Sequence, residues 1–143
     1  MELNTKYHGT IKYENKDIIH LEKGILGFEN LNKFVLFPSE DNDFFSILQS
    51  IEDKEVGFVV ASPFEILKNY ELRLKDSIIK KLKIKKEDDV LVLNIVTLNS
   101  KIKNITVNLK APIVVNIKER LGEQIVLDNS KYGIKHPLIK EWS

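Results

Sequence analysis

The sequence has no cysteine, which excludes disulfides, thiol nucleophiles and thiolate metal sites. Its 22 basic residues include only two arginines, Arg73 and Arg120. Because the planar guanidinium suits bidentate recognition of phosphates and bases better than an ammonium does, this balance argues against a dedicated nucleic-acid reader. Apolar runs such as residues 56–61 are far too short to cross a bilayer. Residues 1–6 lack the apolar core of a signal peptide, so we expect a cytoplasmic protein without membrane contact.

The composition is that of an ordinary globular protein. Hydrophobic residues make up 43% of the chain and charged residues 30%, and the formal charge of +1 creates no strong global field. A chain of 143 residues suffices for one domain that buries about 70% of its unfolded surface. We find no repeat or linker and expect a single domain over residues 1–143. The tail at 131–143, which contains Trp142, is either packed on that domain or free.

Turn-forming residues recur at short intervals, as at Gly9, 41–43 and Gly122, and the segments between them are rich in Ile, Val, Phe and Leu. This pattern predicts a mainly β fold, a small antiparallel barrel or sandwich. The predicted strands cover residues 4–8, 10–13, 17–21, 33–37, 44–49, 56–61, 70–74, 90–98, 105–109, 113–117 and 124–127. One short helix is predicted after an N-cap at Asp76, with Ile78, Ile79 and Leu82 on one face, and a helical turn at 64–67.

Two glycines, Gly24 and Gly27, enclose the apolar pair Ile25 and Leu26 in the run Gly-Ile-Leu-Gly-Phe-Glu. Glycine permits a positive φ that Ile and Leu tolerate poorly. We interpret the run as a sharp turn that packs Phe28 into the core. The alternative is an apolar loop that binds a partner. The run lacks the strand–loop–helix setting of a phosphate-binding loop.

Polar residues inside apolar surroundings have two interpretations. Gln49 and Ser50 end a predicted strand, and they either satisfy backbone groups there or form the rim of an interaction surface. Asn94 is alone among apolar neighbours in its strand, and a structural hydrogen bond is the interpretation we favour, since buried polar groups need partners.

No catalytic or metal-binding pattern is present in the sequence. The histidines, His8, His20 and His136, have no metal-ligand spacing. No serine lies in a glycine-flanked elbow, and the acidic neighbours at 52–53 and 87–89 each fall within one turn. An acid and a base usually act from opposite sides of a cleft. We therefore predict a protein that is not an enzyme and needs no cofactor or metal.

Lysine is concentrated between Lys80 and Lys86, where five of seven residues are lysines. Single-strand platforms combine such charge with aromatic side chains, but no aromatic residue lies between Tyr70 and Tyr132, and residues 87–89 are all acidic. We interpret the run as a solvated helix face. An RNA-binding β-barrel is the alternative function, and a small-molecule barrel or an enzyme with a dispersed site is a third.

Three segments stand in a fixed order: Gly-Ile-Leu-Gly-Phe-Glu at 24–29, Phe-Ser-Ile-Leu-Gln-Ser at 45–50 and Asn-Leu-Lys-Ala-Pro-Ile-Val-Val-Asn at 108–116. Their order and spacing resemble the FliW family of bacterial flagellar assembly factors, over residues 7–137. The matching residues, which the resemblance assigns to architecture, are Gly24, Gly27, Phe28, Gln49, Ser50, Asn108, Leu109, Ala111, Pro112 and Asn116.

The resemblance implies an adaptor or chaperone. Members of the family bind CsrA, a small dimeric repressor of translation, and so relieve the repression of flagellin synthesis. They also bind flagellin, which releases CsrA, so each partner lowers the apparent affinity of the other.

Candidate contact residues follow from these partners. CsrA is basic where it binds RNA, so an acidic surface would attract it. Glu71 and Asp76 lead because they flank the predicted strand-to-helix junction, and the other candidates are Glu52, Asp53, Asp88 and Asp89. Disordered flagellin segments would add to a sheet edge or fill an apolar groove. The candidates for that contact are Ile25, Leu26, Phe44 and Phe45.

Overall fold

A computed structural model describes residues 1–40, 43–128 and 131–138. Most of the predicted turn at 41–43, and the end of the tail with Trp142, lie outside the described residues. The fold is mainly β with two short α-helices. Its elements are β1 Glu2–Thr5, β2 Gly9–Lys12, β3 Ile19–Leu21, β4 Lys33–Pro38, β5 Ser46–Ser50, β6 Gly57–Ala61, α1 Pro63–Ile66, α2 Asp76–Lys81, β7 Val90–Thr97, β8 Thr106–Val107, β9 Ile113–Asn116, β10 Leu121–Gln124 and β11 His136–Pro137.

Within the described part of the chain, seven strands close a barrel in the order β7-β6-β5-β4-β3-β10-β9, and the pairing of β9 with β7 completes the circle. The barrel is antiparallel except where β3 and β10 run parallel, with Leu121 opposite His20. β8 and β11 continue the sheet beyond β7, and β1 and β2 form a separate hairpin. The predicted mainly β fold, with a barrel and one or two short helices, is confirmed.

β7 explains why its sequence is apolar almost throughout. Its first half pairs with β9 from Val90 to Leu93, and its second half pairs with β6 and then β8. A strand with neighbours and packing on both sides has little surface left for polar residues. The interior holds one cluster around Phe34, Leu48 and Ile113, and a second cluster lies at Tyr70, Leu109 and Tyr132.

Two strand predictions are wrong. Residues 70–74 alternate between exposed and more buried side chains as predicted, but no strand of the described part of the chain pairs with them. The segment packs through its side chains on the second cluster instead. The predicted strand 124–127 lies earlier, at Leu121–Gln124, and only isolated backbone bonds follow, such as Ile125 to the Pro112 carbonyl at 2.9 Å.

Both predicted helical segments are found, and each begins one residue earlier than predicted. α1 begins at Pro63, a favoured first position because proline has no N–H to lose there. α2 begins at Asp76, whose carboxylate lies in the first turn, and Lys75 takes the N-cap position predicted for Asp76. No helix among the described residues is long and apolar enough to cross a membrane.

Candidate partner-binding surfaces

The turn between β3 and β4 has the two positive φ angles that its glycines predict, +66° at Gly24 and +91° at Gly27. It separates the apolar pair: Ile25 is 1% exposed and belongs to the core, whereas Leu26 is 75% exposed. Phe28 is 36% exposed and packs edge to face on Phe58 at 5.2 Å between centroids. Phe28 therefore lies at the rim of the core. The prediction from the sequence, that Phe28 packs inside the core, is wrong.

Gln49 and Ser50 hold the hairpin between β5 and β6. The Gln49 amide Nε2 donates to the carbonyls of Ser50, Lys54 and Val56 at 3.0, 3.3 and 2.9 Å. Ser50 Oγ accepts from the two backbone amides that follow Ile51, at 3.1 and 3.0 Å. Both side chains are buried. This geometry is that of backbone satisfaction at a strand end, and a buried pair forms no rim.

The asparagines of the third motif, Asn108 and Asn116, also form hydrogen bonds with backbone groups. Asn108 Oδ1 accepts from the backbone N–H groups of Lys110 and Ala111, both at 3.1 Å. Asn116 is buried and makes four bonds: Oδ1 accepts from the N–H groups of residues 118 and 119, and Nδ2 donates to the carbonyls of residues 82 and 83. Asn116 therefore joins the end of α2 to the β9–β10 turn.

Two tyrosines hold the segment Glu71–Lys75 on the barrel, and no local sequence pattern indicates this role. The rings of Tyr70 and Tyr132 stack at 4.5 Å between centroids. Tyr70 donates its hydroxyl proton to the Leu109 carbonyl at 2.8 Å, and the Tyr132 hydroxyl accepts from the Glu71 N–H at 2.7 Å. Asn94, also fully buried, donates to the Asn108 carbonyl at 2.6 Å, which is the structural hydrogen bond predicted for it.

Ionisation of Tyr70 is expected to destabilise the fold at alkaline pH. Burial raises the pKa of Tyr70 from 10.0 to about 12. The folded state therefore favours the neutral phenol, and this stability is fully present below pH 10 and lost as the pH rises towards 12. We expect the free energy of unfolding to fall by about 2–3 kcal/mol across that window, measured by denaturant unfolding at fixed pH.

Tyr70→Phe is the control, because phenylalanine cannot ionise. It should flatten the alkaline slope, at the cost of the hydrogen bond to Leu109. A residual slope is expected from Lys81, since the hydrogen bond that its ammonium donates to Glu123 raises the pKa of Lys81. Stability that depends on a cation with a raised pKa is also lost at high pH. An unchanged slope in the variant would contradict the assignment.

Glu71 and Asp76 line one cleft of about 890 Å³ between the segment 71–78 and the segment 123–128. Two more carboxylates, Glu123 and Asp128, line it from the opposite side. We call this the acidic cleft. Lys75 Nζ lies 3.8 Å from Asp128 Oδ2, and Lys81 Nζ lies 2.5 Å from Glu123 Oε1 at its border. The structure thus brings together the two leading acidic candidates.

The other acidic candidates lie elsewhere. Glu52 Oε1 accepts from two backbone N–H groups before β4, at 2.5 and 2.8 Å, and Asp53 Oδ1 accepts from Glu55 at 3.0 Å. Asp89 is 8% exposed and lies 3.6 Å from Lys118 Nζ, whereas Asp88 is exposed. Of these four, Asp89 offers the least surface to a partner.

The apolar candidates are divided between two turns. Leu26 projects from the turn before β4, held by the bond from its N–H to Gln124 Oε1 at 2.8 Å. Phe44 is exposed before β5 and contacts the half-buried Phe45 edge to face at 5.4 Å. Phe45 lines a separate cleft beside Tyr7 and Leu98. Ile25 is buried, so only three of the four candidates offer apolar surface.

The lysine run is not one helix face. α2 ends at Lys81, and Lys83 has a φ of +55° in the turn that follows. Lys81 is engaged with Glu123, whereas Lys85 and Lys86 line a third cleft beside Phe64. The predicted solvated helix face is therefore wrong beyond Lys81, because the helix is shorter than the run.

A sequence profile of the FliW protein family matches residues 2–138. The chain belongs to the FliW family. It is 61% identical over 141 residues to the flagellar assembly factor FliW of Clostridium novyi (strain NT), covering 99% of both chains. It is 56% identical over 140 residues to the flagellar assembly factor FliW of Clostridium kluyveri, covering 98% of this chain and 97% of the relative.

The same family is found among solved structures. A crystal structure of the flagellar assembly factor FliW superposes with a TM-score of 0.91 at 40% identity, and the match covers 99% of both chains. Agreement over the whole length means that the barrel, the extra strands and the turns described above belong to the FliW fold. The resemblance stated from the three sequence motifs is confirmed.

Proposed function

We propose that this protein is a cytoplasmic, non-enzymatic adaptor of flagellar assembly that binds a CsrA-type repressor of translation and exchanges it for flagellin. The FliW family supplies the flagellar role. The polar motif residues support a role without catalysis, because the side chains of Gln49, Ser50 and Asn116 are used up in hydrogen bonds to the backbone. A reacting group needs an accessible atom.

The observation that carries the repressor contact is the placement of Glu71 and Asp76 in one acidic cleft. With Glu123 and Asp128 the cleft has four carboxylates against three cations: Arg73 and Lys75 in its lining, and Lys81, which pairs with Glu123 at its border. Because the total charge is only +1, no global field would attract a basic partner, and a local acidic surface would have to do so. Charges of that kind increase the association rate and fix orientation more than they add affinity.

For flagellin we propose an apolar contact by a segment that is disordered before assembly. Leu26, Phe44 and Phe45 are the exposed or half-exposed members of the candidate set. A disordered segment binds by burying apolar side chains and by completing backbone hydrogen bonds, and it pays its ordering entropy on binding. Exchange of the two partners then follows if each binding event lowers the affinity for the other.

Calorimetric titration with CsrA of the same organism, with and without flagellin, tests the proposal. Glu71→Lys combined with Asp76→Lys is expected to weaken repressor binding about tenfold or more, mostly through the association rate. Glu2→Lys combined with Glu119→Lys is the matched control, since it makes the same charge change at exposed positions outside the acidic cleft.

Each result separates one part of the proposal from another. Equal binding of the repressor by the two double variants would exclude the acidic cleft as the repressor contact. Repressor binding that flagellin does not alter would keep the adaptor and remove the exchange. No repressor binding by the wild-type protein would remove the proposed function as a regulator of translation.

A further inference from the structure

A groove of about 640 Å³ lies on the other side of the segment Glu71–Lys75 from the acidic cleft. Its apolar lining is formed by Leu72, Leu74, Ile79, Ile84, Val90 and Val92, and its polar lining by Arg73, Lys85, Lys86 and Glu87. Phe64, which is 47% exposed, borders it. We call it the basic groove.

Positive charges outnumber negative charges in the lining of the basic groove. Arg73, Lys85 and Lys86 are exposed, and none of them has an ion pair within the described ranges of the chain. Glu87 is the one acidic residue of this lining. Three cations beside an apolar floor complement a ligand that has both carboxylates and apolar side chains.

The backbone beside the groove has no hydrogen-bond partner among the described residues. Among the described residues, Leu72, Arg73 and Leu74 make no hydrogen bond through their N–H or C=O groups. At one end the Glu71 N–H is bound by the Tyr132 hydroxyl. At the other end the Lys75 carbonyl accepts from the N–H groups of Ile78 and Ile79 in α2, at 3.0 and 3.1 Å.

Lys75 has extended backbone angles, φ −68° and ψ 148°, and the exposure pattern of the residues before it indicates the same conformation. Side-chain exposure alternates from Glu71 to Lys75, with Leu72 and Leu74 half-buried and the others exposed, which is the period of a β-strand. A fixed, extended and unpaired stretch is a template for strand addition. Since the two anchors already hold the segment in place, binding of a ligand would cost little conformational entropy of the segment.

We propose that the basic groove binds an extended segment of a protein partner, with apolar side chains at alternate positions and carboxylates between them, which adds as a strand to Leu72–Leu74. The apolar residues would enter the groove and the carboxylates would meet Arg73, Lys85 and Lys86. RNA fits less well, because single-strand platforms stack successive bases on several aromatic rings and Phe64 is the one aromatic side chain of this lining. The site shares Arg73 and Leu74 with the acidic cleft and is separate from Leu26, and it rests on the proposed function only in that the partner is a protein.

The test uses two synthetic peptides, one alternating leucine with glutamate and the other alternating leucine with lysine. Each is titrated to millimolar concentration while NMR follows the amides and their hydrogen exchange. We expect the acidic peptide to bind about tenfold or more tightly than the basic one. It should also slow the exchange of amides in Leu72–Leu74, because strand pairing withdraws them from water.

Charge reversal sharpens the test. Lys85→Glu combined with Lys86→Glu is expected to reverse the preference between the peptides. Lys101→Glu combined with Lys103→Glu, at exposed positions outside the groove, should leave it unchanged. The amide spectrum of each variant shows whether it has folded.

Several outcomes would overturn the inference: no peptide binding, equal binding of both peptides, binding that leaves the amides of Leu72–Leu74 unprotected, or a single-stranded RNA that displaces the acidic peptide. The peptides require neither repressor nor flagellin. Failure here, with repressor and flagellin exchange intact, would therefore remove the groove and leave the proposed function standing.

Discussion

Gly24→Ala is expected to lower the free energy of unfolding by about 3–5 kcal/mol. A Cβ at this position would lie 2.6 Å from the Phe28 carbonyl oxygen and 2.7 Å from Glu29 Cα, and these are backbone atoms that no side-chain rotation can move away. The φ of +66° adds the strain of a left-handed conformation. Denaturant unfolding at neutral pH measures the loss.

Gly27→Ala separates the two causes. Its φ is +91°, yet a Cβ there would meet nothing within 4 Å. It should therefore cost only the backbone strain, about 1–2 kcal/mol. Equal losses in the two variants would show that strain alone explains the requirement for glycine, and that the close approach of Phe28 and Glu29 relaxes without cost.

Asn116→Ala is expected to cost about 4 kcal/mol, since two backbone N–H groups and two carbonyls lose their partner at a buried position and each such loss costs about 1–3 kcal/mol before water enters. All four bonds lie between 2.8 and 3.3 Å. Because two of them end on residues 82 and 83, hydrogen exchange in α2 should rise more than exchange in β5.

Asn99→Ala is the matched control. Asn99 is exposed, and its Oδ1 accepts one bond, from the Lys101 N–H at 2.9 Å. The expected loss is about 1 kcal/mol or less. A loss at Asn116 no larger than this would mean that water replaces the side chain at the β9–β10 turn.

Local patterns predicted which residues are buried better than they predicted which strands pair. The alternation at 70–74 correctly placed Leu72 and Leu74 inwards, but alternation is a property of one segment and does not say whether a neighbour exists. The barrel was predicted from the number of short strands. The parallel pairing of β3 with β10 could not be predicted from local patterns, because it joins distant parts of the chain.

The candidate sites show the same division. Sequence placed Glu71 and Asp76 at one junction, and the structure puts them in one cleft. It could not show that Ile25 and Leu26, which are adjacent, point to the core and to solvent. The basic groove combines Phe64, Leu72 and Val92 with Lys85, a set with no sequence spacing to reveal it. Tyr132, which anchors Glu71, lies too far along the chain for any local signal.

The parallel contact between β3 and β10 also sets the order in which the molecule is completed. His20 and Leu121 are separated by most of the chain, so their pairing closes a long loop and costs more entropy than a hairpin does. During synthesis β3 has no partner on this side until β10 has left the ribosome. A chain that ends before β10 therefore has no closed barrel to support its clefts.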